Sequence, residues 1–115
     1  MVDDQPATLK MFQRYLSGTA WDLTGLSDPS QAVEAARKLQ PALILLDVMM
    51  PRIDGWEVLQ ALQLDGQTKN IPIIICSAWG EPELAQSLGA VKFLKKPIIQ
   101  KDLLEALSHL AIIPD

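Results

Sequence analysis

Five side chains of the sequence could together carry out phosphoryl chemistry. Asp3 and Asp4 follow the first two apolar residues, Asp47 ends the apolar run ALILL, Ser77 follows IPIIIC, and Lys96 closely follows AVKFL. Three carboxylates that lie together repel one another, and Mg²⁺, which prefers oxygen ligands, removes that conflict. A lysine ammonium and a hydroxyl can hold phosphoryl oxygens. The central carboxylate, Asp47, is then the candidate nucleophile.

Five short apolar segments predict the strands that position these side chains. Continuous apolar runs such as ALILL and IPIIIC are typical of strands covered on both faces, as in a parallel sheet. The predicted strands are Met1–Val2, Ala20–Leu26, Ala42–Leu46, Ile71–Cys76 and Ala90–Leu94. Since the first segment holds only two residues, we expect a truncated first strand with fewer ladder hydrogen bonds than its neighbours.

Helical patterns lie between and after these strands. Gly89 closes the fourth of them soon after it begins, so that helix is predicted to be short. The helices are predicted to begin near Pro6, Asp28, Asp54 and Pro82, and the last carries Leu103, Leu104, Leu107, Leu110 and Ala111 on one face. Strands that alternate with helices predict an α/β fold with a parallel sheet and helices on both faces. Ligands bind beyond the carboxyl ends of the strands in such folds, where the five candidate side chains fall.

Composition restricts the class of function. A chain of 115 residues has the length of one domain, and a 49% share of apolar residues can fill its core. The net charge of −4 argues against a nucleic-acid surface. No apolar run is long enough to span a membrane, and no signal-peptide pattern is present. The single cysteine, Cys76, cannot form an internal disulfide, which fits a reducing cytoplasm.

Over nearly its whole length the sequence resembles the receiver domains of two-component response regulators. The motifs that carry the resemblance are VDD at Val2–Asp4, LLDVMMPRIDG at Leu45–Gly55, SA at Ser77–Ala78 and KP at Lys96–Pro97. The resemblance implies a single receiver domain over residues 1–115. It also implies a flavodoxin-like, doubly wound sheet of five parallel strands in the order 2-1-3-4-5.

The resemblance implies roles for the acidic residues. Asp47 would be phosphorylated. Asp4 would bind Mg²⁺ directly and Asp3 mainly through water, while Asp47 and the backbone carbonyl of Met49 would complete the protein's share of the metal ligands. Magnesium is therefore the expected cofactor.

The resemblance also implies roles near the two last strands. Ser77 and Lys96 would hold the phosphoryl group and act with Asp47 in its transfer. Phe93 would be the switch aromatic, whose rotamer follows the movement of Ser77. The peptide bond between Lys96 and Pro97 would be cis.

A receiver domain would be a phosphorylation-dependent signalling switch and not a turnover enzyme. The phosphoryl donor would be a histidine kinase or a histidine phosphotransfer protein, and the signal would pass to a downstream protein partner or effector domain. A dimer would form through the face made by the fourth helix, the fifth strand and the fifth helix. We expect a cytoplasmic location, with no direct binding of nucleic acid or membrane by this domain.

Other functions remain open at this point. The truncated first strand and a spacing from Ser77 to Lys96 that is short for the family keep a receiver-like interaction module, which does not switch, as the alternative. A phosphatase of the haloacid-dehalogenase type would need a second aspartate two residues after Asp47, where the sequence has Met49. A nucleotide- or flavin-binding domain would need a glycine-rich phosphate loop, and none follows a predicted strand.

Overall fold

The computed structural model describes residues 1–49, 54–78 and 82–110, and the prediction made for Ala111 lies outside these ranges. Strands and helices alternate as predicted. The strands are β1 (Ile44–Leu46), β2 (Ile73–Ser77) and β3 (Lys92–Lys95). The helices are α1 (Pro6–Leu16), α2 (Ala32–Leu39), α3 (Gly55–Leu64), α4 (Pro82–Ser87) and α5 (Gln100–His109), and a 3-10 turn at Pro29–Gln31 precedes α2.

The three strands form a parallel sheet in the order β1-β2-β3, with Leu45 opposite Ile74 and Ile75 opposite Phe93. Val2 extends the sheet beyond β1 through single bridges to Leu46 and to Leu26. The order across the sheet is therefore Leu26, Val2, β1, β2, β3. In the numbering of the five predicted strands this is the order 2-1-3-4-5, which confirms the doubly wound fold.

The two outer positions of this order are much shorter than predicted. The first predicted strand pairs only at Val2. The segment Ala20–Leu26, which we predicted to be a strand, pairs only at Leu26. The physical reason is that a strand needs a neighbour for its hydrogen bonds, and within the described residues the first strand offers Leu26 little more than the backbone of Met1 and Asp3.

Both faces of the sheet are covered, because successive strand residues point to opposite sides. On one side, Ile74 and Cys76 of β2 pack against α1 and α5, where the buried residues are Phe12, Leu16, Leu103 and Leu107. On the other, Ile73 and Ile75 pack against α2 and α3, where the buried residues are Ala36, Val58, Leu59 and Leu62. Within the described residues, no helix is long and apolar enough to cross a membrane.

The amino ends of the strands border a cavity of about 340 Å³. Its wall is mainly apolar and includes Met1, Leu26, Ala36, Leu43 and Leu107. The cavity lies beside Met1. The opposite, carboxyl ends of the same strands carry the five candidate side chains.

The helix α4 is short, as predicted, and spans Pro82–Ser87. The chain turns after it at Gly89, whose φ of +101° lies in the left-handed region that a side chain disfavours. The side-chain amide of Gln63 in α3 donates to the carbonyl of Gly89 at 3.1 Å. This bond ties the turn that leads into β3 to the end of α3.

Candidate functional site

Asp47 follows β1 directly and is almost completely buried, with 3% of its surface exposed. Its amide N–H donates to the carbonyl of Val2 at 2.9 Å, and the amide of Val2 donates to the carbonyl of Leu45 at 2.8 Å. The single paired residue of the first strand therefore fixes the backbone on both sides of the carboxylate. The apolar run before Asp47 is the buried support on which this charge is held.

Met49, two residues after Asp47, is held close to the Asp47 carboxylate. The amide N–H of Met49 donates to Oδ1 of Asp47 at 2.9 Å, and Met49 bridges to Asp54. Asp54 caps α3 by accepting from the amide of Trp56 at 2.9 Å. A Cβ atom on Gly55 would lie only 2.2 Å from the Cα of Val48, so the start of α3 can approach the loop only with glycine there.

Asp3 and Asp4 reach the same place from the first strand. Asp3 is fully buried, and its Oδ1 accepts from the amide of Gln5 at 2.9 Å, while Asp4 is partly exposed. One carboxylate oxygen from each of Asp3, Asp4 and Asp47 lies within 4.8 Å of the others. The structure thus brings together the three acidic side chains that the sequence placed at strand ends.

Lys96 supplies a cation to this cluster from the end of β3. Its Nζ lies 2.8 Å from Oδ2 of Asp3 and 3.3 Å from Oδ2 of Asp47. Its amide N–H donates to the carbonyl of Ser77 at 2.9 Å, and the peptide bond to Pro97 is cis. The ammonium therefore lies between two of the carboxylates and partly offsets their repulsion.

Burial and charge shift the pKa of both Asp47 and Lys96. Burial raises the pKa of Asp47, the N–H of Met49 and the ammonium of Lys96 oppose the rise, and the carboxylate of Asp3 adds to it. Burial works to lower the pKa of Lys96, but the carboxylates of Asp3 and Asp47 outweigh it and the pKa is raised. The lysine is thus held in its charged form beside an acid whose negative charge is disfavoured.

The chemistry of the donors fits a hard divalent cation. Three carboxylates face one ammonium, so ionisation of all three leaves an excess of negative charge in a partly buried place. Oxygen ligands from one side of a site, with water completing the shell, are what Mg²⁺ takes. Cys76 does not join the chemistry, because burial raises the pKa of its thiol to about 12 and it stays protonated near neutral pH.

The remaining predicted site residues lie close by in the fold. Ser77 is the last residue of β2, is fully buried, and is paired in register with Lys95 of β3. Phe93 lies in β3 and packs, partly buried, against the core between the sheet and the α2–α3 layer. Met49 follows the site with about half of its surface exposed. The metal role of its carbonyl stays a prediction.

Sequence reasoning missed Gln5, whose amide holds Oδ1 of Asp3. A signal was available, since an aspartate side chain that accepts from the amide two residues later is a common local motif at the start of a helix. Asp54 uses the same motif with Trp56, and Asp28 uses it with Ser30.

Comparison with known proteins places these observations in context. Residues 1–108 match the family described as response regulator receiver domain. The chain is 34% identical over 106 residues to the DNA-binding response regulator MtrA of Mycolicibacterium smegmatis, which covers 90% of this chain and 45% of MtrA. It is 38% identical over 102 residues to the response regulator PleD of Caulobacter vibrioides, which covers 85% of this chain and 22% of PleD.

Solved structures agree with the fold. The chemotaxis response regulator CheY4 of Vibrio cholerae superposes with a TM-score of 0.83 at 28% identity, and the match covers 95% of this chain and 93% of that one. The chain thus spans less than half of MtrA and PleD but nearly the whole of CheY4.

Proposed function

Since this chain belongs to the response regulator receiver domain family, we propose that it is a signalling switch that takes up a phosphoryl group on Asp47 with the help of Mg²⁺. Receiver domains are generally switches and not turnover enzymes. The observation that carries the proposal is the position of the Asp47 carboxylate, which lies with the carboxylates of Asp3 and Asp4 and within 3.3 Å of the ammonium of Lys96.

Asp47 would act as the nucleophile. Its Oδ1 is held by the amide of Met49, whereas Oδ2 faces Lys96. In the proposed step a carboxylate oxygen of Asp47 forms a bond to the phosphorus of a phosphohistidine donor. The phosphorus–nitrogen bond breaks, and the nitrogen keeps the electron pair and takes up a proton. Rigid support of Asp47 by β1 orients the attack.

The surrounding side chains would bind and neutralise the phosphoryl group. Lys96 would exchange part of its pairing with Asp47 for a phosphoryl oxygen, and the hydroxyl of Ser77 would donate to another. Asp3, Asp4, Asp47 and the carbonyl of Met49 would hold Mg²⁺. When bound, the ion offsets the negative charge that gathers during transfer.

The signal would leave through Ser77 and Phe93. Phe93 lies on β3 opposite Ile75, two residues before Ser77 on the neighbouring strand, so a shift of the serine can alter its packing. The face made by α4, β3 and α5 is the proposed contact for a downstream protein, an effector domain or a second copy. The donor is proposed to be a histidine kinase or histidine phosphotransfer protein in the cytoplasm.

Incubation with a small phosphodonor such as phosphoramidate tests this function. With Mg²⁺, intact-mass spectrometry is expected to show one added phosphoryl group, and a chelator should abolish the gain. Asp47→Asn should gain no mass. Asp54→Asn is the matched control, because Asp54 is a nearby exposed acid whose capping bond asparagine can keep.

Two results would count against the switch. An equal mass gain in Asp47→Asn would move the acceptor elsewhere. No gain in the wild-type protein, at a concentration of Mg²⁺ that raises its Tm, would favour the alternative of an interaction module that does not switch.

A further inference from the structure

The helix α1 is connected by hydrogen bonds to the site at its start and to the segment that follows Lys96 near its end. At its start, the amide of Gln5 donates to Oδ1 of Asp3 at 2.9 Å. Near its end, the hydroxyl of Tyr15 donates to the carbonyl of Ile98 at 3.0 Å. Ile98 lies two residues after Lys96, whose ammonium returns to Oδ2 of Asp3 at 2.8 Å.

These contacts close a ring through the site. It runs from Asp3 to Gln5, along α1 to Tyr15, across to Ile98, back along the chain to Lys96, and from there to Asp3. Two of its members are the carboxylate and the ammonium that the proposed transfer needs. A change in any link of the ring therefore bears on the distance between them.

The hydrogen bond from Tyr15 holds the segment Lys96–Ile99, which makes few other hydrogen bonds. The four residues from Lys96 to Ile99 join β3 to α5, and Ile99 begins α5 with no side-chain capping bond. The amide of Lys96 is bonded to Ser77, and the side chain of Ile98 is buried. A second bond, from the side-chain amide Nε2 of Gln100 to the carbonyl of Tyr15 at 3.1 Å, ties the start of α5 to the same turn of α1.

Packing alone does not require a hydroxyl on residue 15. The ring of Tyr15 lies against that of Phe12, with 5.8 Å between the centroids, and a phenylalanine would make the same contact. The hydroxyl instead donates a hydrogen bond to one backbone carbonyl, that of Ile98, which is 83 residues away in the sequence. Its contribution is therefore to the position of the segment that follows Lys96.

We propose that Tyr15 is a positioning residue for phosphorylation: its hydroxyl fixes the carbonyl of Ile98 and so holds the ammonium of Lys96 between Asp3 and Asp47. The proposal rests on the proposed function, because the rate it affects is that of phosphoryl transfer to Asp47. Tyr15 itself touches neither the acceptor nor the donor.

The variant Tyr15→Phe removes only the hydroxyl. At saturating phosphodonor, its rate of phosphorylation is expected to fall roughly three- to thirtyfold, less than the about 10²-fold that a 1 Å misplacement can cost. The concentration of Mg²⁺ that gives half the maximal rate should change much less than the rate, since the variant removes none of the acidic residues. Gln100→Leu, which removes the second bond, should act in the same direction with a smaller effect.

Thr68→Val is the matched control. Thr68 is fully buried, and its hydroxyl donates to the carbonyl of Leu62 at 2.7 Å, far from the site in sequence and outside the ring. Its loss should lower stability as much as the loss of the Tyr15 hydroxyl, without lowering the rate of phosphorylation. Equal rates for the wild type and Tyr15→Phe, or equal losses in Tyr15→Phe and Thr68→Val, would overturn the proposal.

An NMR comparison separates this proposal from the proposed function. In Tyr15→Phe, the amide resonances of Lys96 and Gln5 are expected to shift even without a phosphodonor, because both lie on the ring. If these resonances move but the wild type is never phosphorylated, the ring stands and the proposed function fails. If only residues 97–99 respond, Tyr15 is a local structural contact and the positioning role fails.

Discussion

The two ends of the sheet differ in the interactions that hold their side chains: hydrogen bonds and ion pairs at one end, and apolar packing around a cavity at the other. At the carboxyl ends of the strands, Asp3 and Asp47 are buried, and each carboxylate accepts from one backbone amide and from the ammonium of Lys96. At the amino ends, apolar side chains surround a cavity of about 340 Å³ beside Met1. The same strands thus support a closely bonded polar cluster at one end and loose apolar packing at the other.

The difference shows which part of the first strand the site requires. In the described part of the first strand, Val2 is bridged on both sides, and its two backbone bonds, to Leu45 and to Asp47, fix the chain on both sides of the Asp47 carboxylate. The backbone bonds of Val2 are therefore central to the assembly of the site. Stability, by contrast, depends on filled volume, so we expect the loose end to reduce stability more than activity.

The largest effect should come from Lys96→Ala at the bonded end. It leaves the buried carboxylate of Asp3 without its cation, and breaking a buried pair costs about 3–5 kcal/mol. Because the Lys96 side chain is 20% exposed, we expect a loss of about 3 kcal/mol in the free energy of unfolding. Urea denaturation measures it.

Lys95→Ala is the control for that change, since Lys95 is the exposed neighbour in β3. It should alter stability by no more than about 0.5 kcal/mol. Mg²⁺ should restore part of the loss in Lys96→Ala, because the ion replaces the missing positive charge. Similar losses in both variants would show that the polar cluster does not depend on the ammonium.

A pair of alanine-to-leucine substitutions compares packing at the loose end with packing elsewhere. Ala36 lines the cavity, whereas Ala106 on α5 is as fully buried but does not line it. Ala36→Leu is expected to stabilise the fold by up to about 1 kcal/mol, at about 0.8 kcal/mol per buried methylene. Ala106→Leu should destabilise it by about 1–3 kcal/mol through overpacking. Equal losses in thermal unfolding would mean that the cavity cannot be filled.

The smallest effect concerns the charge of Asp47. Because burial raises its pKa above the usual 3.8, the folded protein binds this proton more tightly than the unfolded chain does. The contribution of Asp47 to stability therefore falls as pH rises from 3.8 through the raised value, and the ionised carboxylate destabilises the fold above it. Without Mg²⁺, Asp47→Asn should have a slightly higher Tm than the wild type at pH 7. The difference should shrink as the pH approaches 3.8, and a lower Tm for the variant at pH 7 would contradict this account.

Much of the fold could be predicted from local pattern. Runs such as ALILL mark buried strands, and Gly89 marks the end of α4, because both patterns have a direct physical cause in burial and backbone conformation. Pairing between distant segments is not encoded locally, so the strand predicted over Ala20–Leu26 is present only as a single bridge at Leu26.

The candidate site could be predicted by residue type but not by geometry. The strand-end rule brought Asp3, Asp4, Asp47 and Lys96 to one place. It could not show that Asp3 is fully buried while Asp4 is partly exposed, since neighbouring residues of a strand face different surroundings. The bond from Tyr15 to Ile98 joins two segments that no local pattern relates, and only the folded chain reveals it.

Mapping of the phosphorylated residue tests the central claim most directly. After treatment with phosphoramidate and Mg²⁺, reduction with borohydride converts an aspartyl phosphate to homoserine, which peptide mass spectrometry can locate. We expect homoserine at position 47 alone, in the wild type and in Asp54→Asn. Homoserine at Asp3 or Asp4, or no homoserine in a protein that binds Mg²⁺, would contradict the account.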